Sequence, residues 1–167
     1  EEAIEDNLYD RLASRYTKAL ARSMATTKNT KGATILNNGF TSGTFGDGQY
    51  LLVSTHPTLS GNQTNILSTA ADLNETSLEQ ALIDIAATKD ERGLKVAAKA
   101  RKLVLPSALQ FTAERLLKSQ GRVGTADNDI NAIKHMNSVP EGYFINHYLT
   151  DTDAWFLITD VPNGLKH

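Results

Sequence analysis

The residues that could take part in chemistry lie in two short segments of the first half of the chain. Ser54 and Thr55 place two hydroxyl groups beside the imidazole of His56, and a nucleophilic hydrolase uses groups of these kinds. A glycine-rich segment, residues 43–48, precedes them but lacks the Lys-Ser/Thr pair of a phosphate-binding loop. Adjacency in sequence does not create the geometry of a triad, so we interpret His56 as a structural residue. A small soluble enzyme with its site near His56 is the alternative.

The sequence does not indicate a metal site. Cysteine is absent, and no histidine lies three or four residues from another. Residues 127–131 begin like a calcium-binding loop, but Ala132 stands where glycine is required and Ser138 where the bidentate glutamate belongs. We therefore interpret residues 127–131 as the cap of a short helix. We predict that the chain has no catalytic, cofactor or metal site.

Composition bounds the class of protein. A chain of 167 residues, of which 40% are hydrophobic and 22% charged, is expected to form about one globular domain. Seventeen basic residues face nineteen acidic ones, which disfavours a general nucleic-acid-binding protein because no excess positive charge is present. No apolar run is long enough for a membrane span, and the acidic start of the sequence is unlike a signal peptide.

The densest group of basic residues follows residue 94. It comprises Lys95, Lys99, Arg101 and Lys102, and Lys118 and Arg122 extend it. We interpret this group as a solvated face. Contact with an acidic neighbour or with a nucleic-acid backbone is the alternative, and such contact would be sensitive to salt.

The leading segment predicts one long helix. Residues 1 to about 28 contain neither glycine nor proline. Apolar residues recur every four positions, as Ile4, Leu8, Leu12, Tyr16, Leu20 and Met24. The apolar arc covers roughly 200°, about twice that of an ordinary surface helix. At ~1.5 Å per residue the helix is about 40 Å long, whereas the radius of gyration of a domain of this size is about 15 Å. The helix either lies along the whole body or protrudes and is covered by another chain.

The rest of the sequence predicts an α+β protein. Residues 29–75 are rich in Gly, Asn, Thr and Ser, which indicates a long loop region, and residues 76–167 predict a compact body. The elements expected in that body are a helix capped by Thr76 and Glu79 and ended by Gly93, a strand at 103–105, a helix from Pro106 to Gly121, and a hairpin of strands at 143–149 and 154–159.

Several segments, taken in order, resemble the major capsid proteins of tailed bacteriophages, and the Mu-like major head subunits most closely. The resemblance is carried by residues 101–117, 124–131, 153–158 and 164–166, and also by residues 54–57 and 65–85. It implies the Hong Kong 97-type capsid fold. Residues 1–49 would then form the spine helix and part of the peripheral domain, and residues 50–167 part of the axial domain.

The resemblance also implies a function. The chain is expected to be a structural subunit that self-assembles into hexamers and pentamers of an icosahedral shell enclosing DNA. It would be made in the host bacterial cytoplasm and reside in the virion, contact DNA non-specifically and bind no membrane. The N-terminal arm, the extended loop and the C-terminal strand of that family have no counterpart in the sequence, so we expect the chain to be a fragment.

The expected subunit interface has two parts, because rings of identical subunits need two different patches on each copy. One part is the outward arc of the leading helix, and the other is the polar loop between Gly121 and Asn131. The expected interface residues are Leu8, Leu12, Tyr16 and Leu20 of the helix and Arg122, Asp127, Asp129 and Asn131 of the loop.

Overall fold

The computed structural model describes the backbone of residues 9–122 and 129–161, and within these ranges the side chains from residue 12 onward. The fold is α+β, as predicted, with two small sheets. The elements in chain order are α1 (Tyr9–Asn37), β1 (His56–Thr58), β2 (Gly61–Gln63), α2 (Glu75–Ala86), β3 (Ala100–Leu105), a 3₁₀ helix (Ser107–Leu109), α3 (Gln110–Lys118), α4 (Ala132–His135), β4 (Tyr143–Ile145) and β5 (Phe156–Thr159).

The long helix extends further than its sequence pattern predicts. It has 29 residues and ends at Asn37, so the predicted end near residue 28 is wrong. Gly32 lies inside the helix, where glycine costs about 1 kcal/mol relative to alanine. Packing offsets that cost, because the next residue, Ala33, is 1% exposed. The hydroxyl of Thr34 also donates to the carbonyl oxygen of Thr30 within the helix. Tertiary contacts therefore overrode the local Gly- and Thr-rich composition.

The larger sheet has three strands in the order β4-β3-β5, with β3 in the centre. β4 runs parallel to β3 and β5 runs antiparallel to it. The predicted hairpin of residues 143–149 and 154–159 is therefore wrong. Both segments do contain strands, but they lie on opposite edges of β3 and do not pair with each other. The sequence pattern located both strands, although the first ends at Ile145 and not at Leu149, and it could not show that an earlier strand separates them.

The core lies on one face of this sheet. Leu103 and Leu105 of β3 point into it and are fully buried, which confirms the predicted buried strand at 103–105. The other buried members of the cluster are Leu73, Leu78, Ala113, Leu116, Ile133 and Val139. They come from α2, α3, α4 and the segments beside them, so the helices cover a single face of the sheet.

Helix α2 begins with a different cap from the one predicted. Asn74 is the N-cap residue and accepts a hydrogen bond from the amide of Ser77, while the Ser77 hydroxyl accepts from the amide of Asn74. The capping box is therefore Asn74–Ser77, and the predicted Thr76–Glu79 box is wrong by two residues. The helix ends at Ala86, well before Gly93, which has φ +87° in a later turn.

Pro106 precedes α3 at a slightly different position from the predicted one. It caps the 3₁₀ helix Ser107–Leu109, and α3 proper follows at Gln110. The helix ends at Lys118, three residues before the predicted stop at Gly121. A proline fits this place because its backbone nitrogen has no proton to leave unpaired at the start of a helix.

Candidate self-association surface

Helix α1 presents a row of uncovered apolar side chains. All residues from 13 to 32 are exposed. Tyr16, Leu20 and Met24 are 72%, 61% and 64% exposed, and Leu12 is half-buried. These four residues are spaced by four positions, so they form one continuous ridge of the kind that packs into a groove of a partner. Of the two arrangements that the sequence left open, the structure shows the protruding helix.

The base of α1 is fixed to the body by a few specific contacts. Asn37 donates from its side-chain nitrogen to the carbonyl oxygen of Tyr148 over 3.0 Å and accepts from the amide of Thr150 over 3.1 Å. Just after the helix, the ring of Phe40 lies 6.1 Å from that of Phe156 on β5. The helix is therefore anchored at residues 33–40 and leads away from the body over most of its length.

A second row of side chains on α1 is basic. Arg15, Lys18 and Arg22 are spaced by three and four residues, so they share one face, beside the apolar ridge. All three are exposed, and no carboxylate of the described residues lies within ion-pair distance of them. We call these three residues the basic stripe.

The loop that follows α3 is closed by backbone pairing at its base. The amide of Arg122 donates to the carbonyl oxygen of Asp129 over 2.9 Å, and Gly121 pairs with Ile130. The guanidinium of Arg122 also contacts Glu75 at 2.9 Å, and this hydrogen bond raises the pKa of Arg122. Arg122 and Asp129 remain exposed at the surface. Both therefore stay accessible to a neighbouring copy.

Asn131 serves the interior of the same loop. Its side chain is 3% exposed; its nitrogen donates to the carbonyl oxygen of Leu116 over 2.7 Å, and its oxygen accepts from the amide of Lys134. It is the N-cap of α4, which confirms the interpretation of this segment as a helix cap. Asn131 thus stabilises the loop by buried hydrogen bonds and is not exposed to a neighbouring copy. Of the other expected interface residues, Leu8 and Asp127 lie outside the described residues.

The structure brings together the two segments that could take part in chemistry. Nδ1 of His56 lies 2.6 Å from Oδ2 of Asp47 in the glycine-rich segment, and Oδ1 of Asp47 accepts from the amide of Gln49. The bond with His56 lowers the pKa of Asp47. Nε2 of His56 is buried and has no hydrogen-bond partner among the described residues. A hydroxyl nucleophile at Nε2 is what a triad needs, so the geometry supports a structural pair that holds the segment.

The basic residues after position 94 are partly neutralised. Arg101 and Lys102 both contact Glu141, at 3.3 and 2.9 Å, and they lower the pKa of that carboxyl. Lys118 pairs with Glu114 at 3.2 Å. These contacts favour the interpretation of a solvated face for Arg101, Lys102 and Lys118, because these three cations already have carboxylate partners within the chain.

The sequence did not reveal an acidic group beside the base of α1. Asp151 and Asp153 precede β5, and the amide of Asp153 donates to Asp151. A side-chain hydrogen bond with Asp151 and the negative charges of Asp151 and Asp72 raise the pKa of Asp153, while the pKa of Asp151 is lowered. Asp72, Asp151 and Asp153, which we call the acidic cluster, have no basic side chain within ion-pair distance among the described residues. Only the fold brings Asp72 to the other two.

The face of the sheet opposite the core is only partly covered. Phe144 of β4 and Phe156 of β5 both pair with Val104, so all three side chains share that face. Phe156 is covered by Phe40, whereas Phe144 is 54% exposed. Alternation along the strands predicts two apolar faces here, but it does not show which of them the helices leave open.

Among the described residues there is no group of three or more histidine, aspartate or glutamate side chains arranged to hold a metal ion. In the same part of the chain, no helix combines the length and the apolar character needed to cross a bilayer.

Comparison with known proteins gives one match. The family model for phage capsid protein matches residues 1–166. No curated protein and no solved structure matches the chain.

Proposed function

The chain belongs to the phage capsid protein family, and from that premise we propose that it is a Hong Kong 97-type shell subunit that associates through the exposed ridge of α1. The family makes it a structural protein of the virion that assembles with copies of itself in a shell. Beyond this, we propose the fold type, the hexamers and pentamers, and the surface through which the copies contact one another.

The single observation that carries the proposal is the apolar ridge of half-buried Leu12 and exposed Tyr16, Leu20 and Met24, on a helix about 43 Å long. A contiguous apolar surface that the subunit leaves in water is typical of an interface. Burying apolar side chains stabilises an assembly by about 1.5–3 kcal/mol for each large residue fully buried. Such a surface fits a shell subunit, because neighbouring copies in a shell can bury the apolar ridge of each subunit.

The proposed division of the chain is the one that the family resemblance implies. Residues 1–49 are proposed to act as spine and peripheral part, and residues 50–167 as part of an axial domain that contains the three-stranded sheet. Arg122 and Asp129, exposed on the loop after α3, are proposed as a second contact with a neighbouring copy. DNA contact is proposed to be non-specific, with Lys95 and Lys99 as exposed cations available for it.

The test introduces a charge on the ridge. Leu12→Asp and Tyr16→Asp in the full-length protein are expected to abolish particles, because a carboxylate buried in an apolar interface loses its hydration. Ala21→Asp is the matched control, since Ala21 is exposed on α1 on the far side from Leu12. Assembly is measured by sedimentation velocity and electron microscopy, and folding by circular dichroism. Normal particles from both ridge variants would refute the assignment.

A further inference from the structure

Among the described residues, the basic stripe and the acidic cluster are opposite charges that have no ion-pair partner. The described ion pairs include His56 and the cations Arg101, Lys102, Lys118 and Arg122, all within the body. Within the part of the chain that the structure describes, the stripe of Arg15, Lys18 and Arg22 has no such partner, and neither do the three aspartates. Like charges grouped at a surface repel one another, so each group is better satisfied when a surface of opposite charge covers it.

The acidic cluster is held in place by the fold. The indole nitrogen of Trp155 donates to the carbonyl oxygen of Ala71 over 3.0 Å, which fixes the segment of Asp72 against the segment of Asp153. Asp151 also lines a small cleft together with Phe40 and Phe156. The three carboxylates therefore form a fixed negative surface, and a half-exposed aromatic ring adjoins it.

The stripe of a subunit cannot reach the cluster of the same subunit. Asn37 touches Thr150, next to Asp151, so the base of α1 marks the position of the cluster along the helix. Arg22 lies 15 residues before Asn37, which is about 22 Å along the axis, and Arg15 lies about 33 Å away. Both distances exceed the length of an arginine side chain. Because α1 is continuous between these residues, it keeps the two charge groups of one copy apart.

A second copy of the chain is the partner that fits, because the family assembles from copies of itself. We propose that the basic stripe of α1 in one subunit docks on the acidic cluster of the next subunit, beside Phe40. This inference rests on the proposed function and names the surface that the helix meets. The contact is head-to-tail, since the stripe and the cluster are different surfaces of one chain, and such contacts close into rings or continue as open chains.

The apolar ridge has a place in the same contact. Leu12 lies about 60° around the helix from Arg15, so a partner that touches both covers the start of the ridge as well. On the receiving subunit, Phe40 is 46% exposed beside Asp151. The charges would set the register and the rate of encounter, and the apolar contact would supply the affinity.

The test reverses each set of charges and then both together. Arg15→Glu with Lys18→Glu and Arg22→Glu is the stripe variant, and Asp72→Lys with Asp151→Lys and Asp153→Lys is the cluster variant. Each is expected to need roughly tenfold to a hundredfold more protein to assemble than the parent chain. The chain carrying all six changes is expected to recover assembly, whereas an equal mixture of the two variants is expected to recover only even-membered rings, because the two variants must alternate. Lys89→Glu with Arg92→Glu, which reverses two exposed cations of the body outside the stripe, the cluster and the ridge, is the matched control and is expected to assemble normally.

Association is followed by sedimentation velocity at low and high salt, and folding by circular dichroism. If the cluster variant unfolds, Asp151→Asn with Asp153→Asn replaces it, because asparagine keeps the hydrogen-bonding groups and removes the charge. Normal assembly of the reversed variants, or failure of the folded six-change chain, would overturn the docking partner. If Leu12→Asp blocks assembly while the charge reversals do not, the ridge is an interface and only this inference fails. If Leu12→Asp, Tyr16→Asp and the reversals all assemble normally, both proposals fail.

Discussion

The side chain of Asn37 reaches across 111 residues of sequence to donate a hydrogen bond to the backbone of Tyr148. Its oxygen accepts from the amide of Thr150 at the same junction. Asparagine satisfies both requirements because it carries a donor and an acceptor on one planar group. This residue connects the last turn of the long helix to the segment between β4 and β5.

Replacing that residue is expected to loosen the helix from the body. Asn37→Ala removes both hydrogen bonds and is expected to lower the free energy of unfolding by about 1–3 kcal/mol. The neighbouring Asn38 is exposed and provides the control, since Asn38→Ala is expected to change the stability by less than about 0.5 kcal/mol. Urea denaturation followed by circular dichroism measures both. Equal stability of the Asn37 variant and the parent would show that the junction does not depend on these bonds.

The buried amide of Asn131 is expected to matter more for stability than its place in a polar loop suggests. Asn131→Ala leaves the carbonyl oxygen of Leu116 without its partner and removes the cap of α4, which is expected to cost about 2–4 kcal/mol. Asn131→Asp keeps an acceptor for the amide of Lys134 but has no donor for Leu116, so it separates the two effects. Thermal unfolding distinguishes the variants, and a change of Tm below about 1 °C in Asn131→Ala would contradict the assignment.

The pair of Asp47 and His56 predicts a dependence of stability on pH. Because the hydrogen bond with His56 lowers the pKa of Asp47, the carboxylate stabilises the fold above the ordinary pKa of aspartate, about 4. This stabilisation is lost as pH falls through the lowered pKa. Asp47→Ala is therefore expected to unfold at a lower Tm than the parent at pH 7, with the difference shrinking as the pH falls below about 4. Asp129→Ala, which removes an exposed carboxylate, is the control. A difference that does not change with pH would argue against the pair.

Removing one charge of the acidic cluster is expected to stabilise the isolated subunit. The raised pKa of Asp153 means that its carboxylate is disfavoured in the folded chain, so this cost is absent at low pH and appears as pH rises through that pKa. Asp153→Asn is expected to raise Tm at pH 7 and to have little effect near pH 3. The same variant is expected to weaken assembly, because the proposed partner of the basic stripe loses a charge. A variant that gains no stability at pH 7 would show that the carboxylates do not repel each other.

Local patterns in the sequence predicted elements well and their arrangement less well. The buried run at 103–105 and the α+β class follow from hydrophobicity, which acts over a few residues. The end of α1 depended on Asn37, which forms hydrogen bonds with residues more than a hundred positions away, and no local pattern contains that information. The two strands after residue 140 were visible as apolar runs. Their separation by β3 is a property of the folded chain.

The candidate surface was predictable only where it depends on local helical periodicity. Tyr16 and Leu20 could be identified as an over-wide apolar arc from the sequence alone, since helical periodicity fixes the face of each residue. The approach of Asp72 to Asp153 could not be identified, because the two are 81 residues apart and only the fold joins them. The hydrogen bond between Asp47 and His56 could not be predicted either, although both residues lie in segments whose residue types could take part in chemistry.

The central place of β3 has a consequence for biosynthesis. Both neighbours of this strand come later in the chain, and the second of them, β5, ends 54 residues after β3 does. A ribosome adds on the order of 5–20 residues per second, so synthesis of these 54 residues takes roughly 3–11 seconds. Both edges of β3 can be paired only after that time. During that interval its backbone amides and carbonyls are open to pairing with other nascent chains. Until β5 has been made, the open edge of β3 is therefore a place at which the chain can aggregate.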